Sequence, residues 1–223
     1  RERPSVIVKA GTRARALVER RALQQSDLSI TLSDFMRRQI NDWHPNAPTG
    51  PVIPGGVDID RFTPNSPRLG SIDAGLSFLT VRRLTPRMGL ESLLDAFAAV
   101  GREVPDAHLY IAGDGPLRPA LESRADSLGI ESSVTFLGFV EEQALASVYA
   151  AADVFILPTT ALEGFGLVTL EALASGTPVL ATGVGGTPEI LSPLDRSLPD
   201  SPDMLLEQSD SMRNGLLNWA NCR

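Results

Sequence analysis

From about residue 75 onward, one pattern repeats along the chain: a short apolar or β-branched run, then glycine or proline, then a stretch with helical periodicity. The runs are Leu76–Val81, His108–Ala112, Ser133–Leu137, Val154–Leu157 and Pro178–Ala181, and the helical stretches start near Gly89, Pro116, Glu141 and Gly166. Strands that are apolar on both faces and alternate with helices form a parallel sheet covered on both sides. The pattern therefore predicts an α/β fold, a Rossmann-like doubly wound parallel sheet that binds ligands at the carboxyl ends of its strands.

The first 75 residues follow a different pattern. A helix over about residues 12–25, a strand over 28–32 and a helix over 34–40 capped by Ser33 precede a connector at 51–58 that is rich in proline and glycine. We interpret residues 1–66 as the end of a preceding α/β domain with its connector, and residues 67–223 as the Rossmann-like domain. The tail after about residue 192 is predicted to be irregular and then helical near Ala220. The chain begins with Arg-Glu-Arg-Pro and stops at Asn-Cys-Arg, so we expect it to be a segment of a longer protein, with its last domain also truncated.

Charge and cysteine content exclude several classes of function. The net charge of −7 argues against a nucleic-acid partner, which requires a basic surface. Cys222 is the only cysteine, so neither a disulfide framework nor a cysteine metal cluster is expected. The best apolar run, residues 148–157, is too short to span a membrane and contains Asp153.

Two glutamates bracket a Gly-Phe-Gly sequence in the segment Glu163–Glu171, EGFGLVTLE. In one continuous helix their carboxylates would be roughly 12 Å apart along the axis, too far for a paired acid and base. The glycines favour a different arrangement, in which Glu163 lies in a loop and Gly166 opens a helix that carries Glu171. A ligand could then approach the backbone N–H groups of the helix terminus closely. The alternative is an ordinary turn with a surface glutamate and a glutamate that complements the helix dipole.

Two further glycine turns follow strands, Gly113–Pro116 (GDGP) and Gly183–Pro188 (GVGGTP). Pro116 suits the first position of a helix. A strand, a glycine turn and a helix together form a common anion-binding arrangement, although one such turn alone is weak evidence.

Three arginines, Arg82, Arg83 and Arg87, lie on the turn after the first strand of the sheet. Guanidinium groups in this place can bind a diphosphate through charge-assisted hydrogen bonds, and Arg83 is the strongest candidate. A solvated loop is the alternative.

The ordered set of motifs resembles the family 4 (group 1) retaining glycosyltransferases of the GT-B fold. The matching pieces are SDFMRR from Ser33, VIPGGVD from Val52 with Phe62 and Pro64, RLTPRMG from Arg83, AGDGP from Ala112, FLGFV from Phe136, YAAADVFILP from Tyr149, Glu163–Glu171, and GVGGTPE from Gly183. They cover nearly the whole chain in the order of the family. In such enzymes two Rossmann-like domains face each other across a cleft; the second binds a nucleotide-sugar and the first binds the acceptor.

The resemblance implies a role for each matching residue. Glu171 would accept the ribose hydroxyls, and Glu163 would hold the transferred sugar together with the backbone of Gly164, Phe165, Gly166 and Leu167. The diphosphate would be bound by Arg83, a second cation, Gly113 and Gly55, and the base would pair with the backbone near Val140. Catalytic roles fall to Glu163, Arg83 and Arg87.

One position departs from the family pattern. The second cation is usually a lysine just before the glycine, where this chain has Met88, and we hypothesise that the adjacent Arg87 substitutes for it. The only Asp-x-Asp pair, Asp58 and Asp60, lies in the connector and is interpreted as part of a turn. No cofactor and no metal ion are expected.

The resemblance thus implies hexosyl transfer from a nucleoside-diphosphate sugar to an unknown acceptor, with retention and without a metal. We expect a cytoplasmic enzyme. The preceding domain is the part that could contact the inner face of the membrane peripherally. The segment alone is expected to be inactive. Alternatives are a glycoside hydrolase that uses Glu163 and Glu171, a dehydrogenase, and a non-catalytic nucleotide-binding module.

Overall fold

The chain divides into two compact units, Arg1–Gly55 and Gly56–Arg223. The computed structural model describes residues 6–72, 75–197, 205–206 and 209–221, with side chains described over 15–72, 75–194 and 212–220. This division falls earlier in the chain than the predicted boundary after residue 66.

The first unit contains two helices and a small parallel sheet. Its elements are α1 (Val6–Gln25), β1 (Ser29–Thr31), α2 (Asp34–Trp43) and β2 (Thr49–Val52). Ser33 caps α2 as predicted, because its Oγ accepts a hydrogen bond from the Met36 N–H at 3.1 Å. The predicted connector at 51–58 is wrong at its start: Pro51 and Val52 belong to β2. A two-stranded sheet consists of edge strands, where proline is tolerated.

The second unit is built on a parallel sheet with helices between its strands. Its strands are β3 (Leu76–Val81), β4 (Ala107–Ala112), β5 (Val134–Gly138), β6 (Val154–Leu157), β7 (Val179–Thr182) and β8 (Leu205–Leu206). Its helices are α3 (Leu90–Glu103), α4 (Arg118–Leu128), α5 (Leu145–Ala151), α6 (Leu167–Ala174), α7 (Thr187–Ser197) and α8 (Ser209–Asn221).

The sheet has six strands in the order β5-β4-β3-β6-β7-β8, and every neighbouring pair is parallel. In chain order this is the 3-2-1-4-5-6 arrangement of a doubly wound fold. The order reverses between β3 and β6, which pair only at Phe78 with Val154 and Leu79 with Phe155. The predicted fold class is confirmed, and this boundary is where such a sheet leaves a crevice for a ligand.

Successive strand residues pack on opposite faces of the sheet. Phe78 joins a core cluster with residues of α3, α4 and α8, whereas Leu79 joins a second cluster with residues of α5, α6 and α7. Both side chains are fully buried. The sheet is therefore covered by helices on each face, as its apolar strands predict.

Two predictions about helix boundaries were wrong. Helix α4 begins at Arg118 rather than at Pro116, and Pro119 is the proline in its first turn. The N–H of Leu117 bonds the carbonyl of Leu84 at 3.1 Å, so this segment is held against another turn before the helix starts. Helix α7 continues to Ser197 with Pro193 inside it, beyond the predicted start of the irregular tail.

The tail contributes one strand that the sequence did not predict and the helix that it predicted near Ala220. Strand β8 has only two residues, too few for any periodicity, and it extends the sheet beside β7. Helix α8 buries Met212, Leu216 and Ala220 in the same cluster as Phe78. In the described part of the chain, no helix has the length and apolarity needed to cross a bilayer.

Candidate functional site

The turns after the strands meet at one edge of the sheet. Backbone hydrogen bonds join them: Leu84 N–H to Asp114 O (2.9 Å), Gly113 N–H to Gly138 O (2.7 Å), Thr160 N–H to the carbonyl of Arg87 (3.0 Å), and Gly186 N–H to the carbonyl of Glu163 (2.9 Å). The arginine turn after β3, the loop after β6 and the two predicted glycine turns are thus adjacent. This arrangement puts the polar groups of separate turns at the carboxyl ends of the strands, as expected of a doubly wound sheet.

A cavity of about 690 Å³ opens among the turns after β3, β4 and β5. Among the predicted site residues, its walls include Arg83, Arg87, Gly113 and Val140. The other lining residues are Val81, Arg82, Thr85, Met88, Ala112, Asp114, Phe139, Leu145 and Val168. The cavity therefore has cationic and glycine-rich parts near β3 and β4 and an apolar part near Phe139 and Val168, a combination suited to an organic anion.

Gly113 shows how tightly the turns are packed. Its φ is +126°, and a Cβ atom there would lie 1.9 Å from the carbonyl oxygen of Arg82. Only glycine fits such a backbone and such an approach. The glycine turn after β4 thus fixes the position of the main chain from which the Arg82 side chain begins.

Arg82 and Glu163 form an ion pair across the point where the strand order reverses. Arg82 Nη2 lies 2.5 Å from Glu163 Oε2, and the side chains are only 9% and 12% exposed. Thr159, fully buried, donates its hydroxyl to Glu163 Oε2 at 3.1 Å and lies 2.7 Å from Arg82 Nη2. A buried carboxylate requires partners, and Arg82 and Thr159 provide them for Glu163 in this place.

The other two arginines are exposed and differ in their contacts. The Arg83 side chain has no hydrogen bond or ion pair among the described residues, and Arg83 lines the cavity. Arg87 donates from Nη1 to the carbonyl of Leu162 at 3.0 Å. Met88 is 7% exposed, and its Sδ lies 3.1 Å from Arg82 Nη2. The guanidinium beside Met88 therefore belongs to Arg82, whereas the hypothesis from sequence expected Arg87 there.

The Gly-Phe-Gly segment forms the loop that the sequence predicts. Gly166, with φ +90°, is the N-cap residue of α6, and Glu163 and Gly164 precede it in the loop after β6. Phe165 is 8% exposed and packs inward, whereas Leu167 is 42% exposed. The fully buried Thr169 hydroxyl in the first turn of α6 has no hydrogen-bond partner among the described residues.

Glu171 lies in α6, three residues after Val168, so both occupy one face of the helix. Val168 lines the cavity, which places Glu171 one turn further along that face. Its Oε2 accepts a hydrogen bond from the Tyr149 hydroxyl at 2.8 Å. Burial, together with the neighbouring Glu171 carboxylate, raises the pKa of the Tyr149 hydroxyl well above its usual value.

Two predicted features are not among the contacts described above. Gly55 belongs to the first unit, so its role beside a diphosphate stays a prediction. Asp58 accepts hydrogen bonds from the N–H groups of Asp60 and Arg61, at 3.0 and 3.2 Å, as a turn residue does. The described residues contain no group of three or more histidine, cysteine, aspartate or glutamate side chains arranged to hold a metal ion.

Thr159 and Tyr149 are the residues that sequence analysis missed. Thr159 follows the end of β6 by two positions, a location that could have marked it as a candidate. Tyr149 gives no such signal, because its bond to Glu171 joins residues 22 positions apart and depends on how α5 packs against α6.

Comparison with known proteins identifies the family of the chain. The family model "Glycosyl transferases group 1" matches residues 64–211. A relative from Corynebacterium glutamicum is named GDP-mannose-dependent monoacylated alpha-(1-6)-phosphatidylinositol monomannoside mannosyltransferase. It is 34% identical over 192 residues, covering 80% of this chain and 50% of the relative. D-inositol 3-phosphate glycosyltransferase of Geodermatophilus obscurus is 36% identical over 189 residues, covering 78% of this chain and 42% of the relative. The chain thus spans about half the length of the curated relatives it matches.

Solved structures show the same fold. Sucrose-phosphate synthase of Thermosynechococcus elongatus superposes with a TM-score of 0.77 at 26% identity, covering 94% of this chain and 53% of that one. Anabaena HepE, solved in complex with UDP and glucose, has a TM-score of 0.75 at 24% identity, covering 90% of this chain and 55% of its own. The family model matches most of the chain, and the sheet has the strand order of a doubly wound fold. The chain therefore belongs to the group 1 glycosyltransferases and has the Rossmann-like fold of the C-terminal half of a GT-B enzyme.

Proposed function

We propose that the protein transfers a hexosyl group from a nucleoside-diphosphate sugar to an acceptor hydroxyl, with retention at the anomeric carbon and without a metal ion. The observation that carries the proposal is the cavity among the turns after β3, β4 and β5, where Arg83, whose side chain has no ion pair among the described residues, lines the wall together with the glycine turn at Gly113. The family match supports the reaction class.

The chemistry follows from where negative charge develops. When the bond between the sugar C1 and the phosphate oxygen breaks, the electron pair stays on the diphosphate, while the acceptor oxygen bonds to C1 and loses its proton. Arginines already placed at the cavity stabilise the departing diphosphate without a reorganisation cost. Glu163 is assigned to the transferred sugar, with the backbone from Gly164 to Leu167, and Glu171 to the ribose. The apolar wall near Val140 is assigned to the base.

Donor binding is tested by a thermal-shift screen of UDP, GDP, ADP and their hexose conjugates. GDP-mannose is included because several relatives are named as GDP-mannose-dependent. A ligand that binds only the folded state, at a hundred times its Kd, adds about 2.7 kcal/mol to the free energy of unfolding and raises the melting temperature. If none of these nucleotides shifts the transition, the proposal is wrong.

Transfer is tested on the whole protein with the donor that the screen selects. NMR of the product should show the same anomeric configuration as in the donor, and activity should persist in EDTA. Arg83→Ala should lower kcat by about a hundredfold, the usual cost of removing one group that stabilises developing charge. Inversion at C1, or activity that EDTA abolishes and a divalent ion restores, would contradict the mechanism.

The 223 residues alone are expected to bind a nucleoside diphosphate and to transfer nothing, because the curated relatives are about twice as long and the acceptor is assigned to the preceding domain. Turnover by these residues alone would contradict this. We further propose that the protein acts in the cytoplasm, and that any contact with the inner face of the membrane is peripheral and made by the preceding domain. Co-sedimentation of the whole protein with lipid vesicles tests the contact.

A hydrolase that uses Glu163 and Glu171 as an acid and base pair is not favoured. The two carboxylates have different partners, Arg82 with Thr159 for one and Tyr149 for the other.

A further inference from the structure

The Arg82 side chain is buried at the wall of the cavity and is only partly satisfied. Its Nη2 alone faces three neighbours, Met88 Sδ, Thr159 Oγ1 and Glu163 Oε2, at 3.1, 2.7 and 2.5 Å. Its buried Nε has no hydrogen-bond partner among the described residues. A buried donor without a partner is costly, and such groups often indicate a ligand or a functional constraint.

Arg87 differs from Arg82 in its exposure and in the group that it contacts. It is exposed, and its guanidinium is already engaged by the carbonyl of Leu162 at 3.0 Å. Arg82 by contrast starts from a main chain that Gly113 fixes in place, and its guanidinium touches the sulfur of Met88. A buried, positioned cation interacts more strongly with an anion than an exposed one does, because water screens it less.

We propose that Arg82 is the second cation of the diphosphate site, beside Arg83, and that it provides the positive charge that Met88 does not. This inference rests on the proposed function. In the structure described, Glu163 balances the charge of Arg82. A bound diphosphate competes with Glu163 for the guanidinium, so donor binding also makes the Glu163 carboxylate available to the sugar hydroxyls. Arg82 thereby links binding of the diphosphate to binding of the sugar.

The test is calorimetry on the purified protein with UDP, GDP and ADP, and with uridine, guanosine and adenosine. For the nucleoside diphosphate that binds, Arg82→Met should lower the affinity about tenfold to a hundredfold, the usual effect of losing a hydrogen bond to a charged group. The affinity for the matching nucleoside should change by less than about threefold, since the nucleoside carries no phosphate.

A second variant separates loss of charge from loss of packing. Because Met88 Sδ lies 3.1 Å from the guanidinium, a lysine at that position puts its ammonium group in the same region. The double change Arg82→Met with Met88→Lys should therefore restore most of the diphosphate affinity and provide a partner for Glu163. Arg124→Ala is the matched control: it removes an arginine paired with Asp95 on exposed helix surfaces, and it should leave nucleotide binding unchanged.

The outcomes are distinguishable. If the wild-type protein binds none of the diphosphates, the proposed function and this inference both fail. If it binds one of them and Arg82→Met binds it equally well, only the role of Arg82 is overturned. An equal loss of diphosphate and nucleoside that Met88→Lys does not reverse, with a lower melting temperature, would make Arg82 a structural residue and would also overturn the inference.

Discussion

At the scale of single residues, Tyr149 is the clearest example of a side chain that acts on the site from outside it. It is fully buried, and its hydroxyl bonds one carboxylate oxygen of Glu171 at 2.8 Å. The bond fixes the direction of that carboxylate and leaves its other oxygen for a ligand. If Glu171 accepts the ribose hydroxyls, Tyr149 is the residue that positions it.

Tyr149→Phe removes this bond and little else. We expect affinity for the ribonucleoside diphosphate to fall by about tenfold, because a hydrogen bond to a charged group is worth about 1.5–3 kcal/mol and part of that loss is compensated by water. Calorimetry with the diphosphate that binds the wild-type protein measures the change.

The 2′,3′-dideoxy form of the same nucleotide provides the control. It lacks the ribose hydroxyls that Glu171 would accept, so wild type and Tyr149→Phe should bind it with similar affinity. An equal loss for both nucleotides would mean that Tyr149 affects only packing.

At the scale of elements, two glycines near helix ends have opposite roles. Gly101 lies within α3, and a Cβ added there would meet nothing within 4 Å. Gly129 follows α4 with φ +69°, and its N–H bonds the carbonyls of Ala125 and Asp126. The space around Gly129 is also open, so the difference between the two positions lies in the backbone.

Alanine should therefore have opposite effects at these positions. Gly101→Ala should raise the free energy of unfolding by up to about 1 kcal/mol, the difference in helix propensity. Gly129→Ala should lower it by about 1–2 kcal/mol, because a left-handed backbone is unfavourable for a residue with a Cβ. Urea titrations followed by circular dichroism measure both, and two changes of the same sign would refute the argument.

The sequence alone was enough to predict the elements that have a strong hydrophobic pattern. In the second unit it located β3 and β6 at their observed bounds and placed the other three strands that it predicted there within a residue, because burial on both faces makes each an unbroken apolar run. It failed for β8, which has two residues, and for the start of α4, which a hydrogen bond from Leu117 to Leu84 decides. Both depend on contacts between segments far apart in the chain.

The candidate site was predictable to a similar degree. Glycine turns and arginines after strands indicate an anion site, because the topology brings those turns to one edge. The choice between Arg82 and Arg87 as neighbour of Met88 was not predictable, since it depends on side-chain direction. The partner of Glu163 could not be predicted for the same reason.

At the scale of the whole molecule, the two units differ in how much they bury. Between residues 15 and 55 the buried residues are Thr31, Ser33 and Ala47, while Ile30 and Trp43 are 57% and 60% exposed. The second unit contains both large apolar clusters. Local stability follows the apolar contacts that an element makes, so the first unit should open more easily.

Hydrogen exchange followed by mass spectrometry checks this difference. Amides of α2 and β1 should exchange at least about a hundredfold faster than those of β3 and β4, which corresponds to a difference of about 2.7 kcal/mol in the free energy of opening. Amides of α4, a largely exposed helix of the second unit, serve as the control and should be protected at an intermediate level. Equal protection in α2 and β3 would contradict the expectation.

The short pairing between β3 and β6 has a mechanical consequence. The two strands share two registered residue pairs, whereas β3 and β4 share six. Beyond that short ladder, the Arg82 and Glu163 side chains connect the two halves of the sheet. An anion bound beside these side chains would strengthen this short boundary, so occupancy of the cavity should raise the resistance of the domain to separation of the two halves of its sheet.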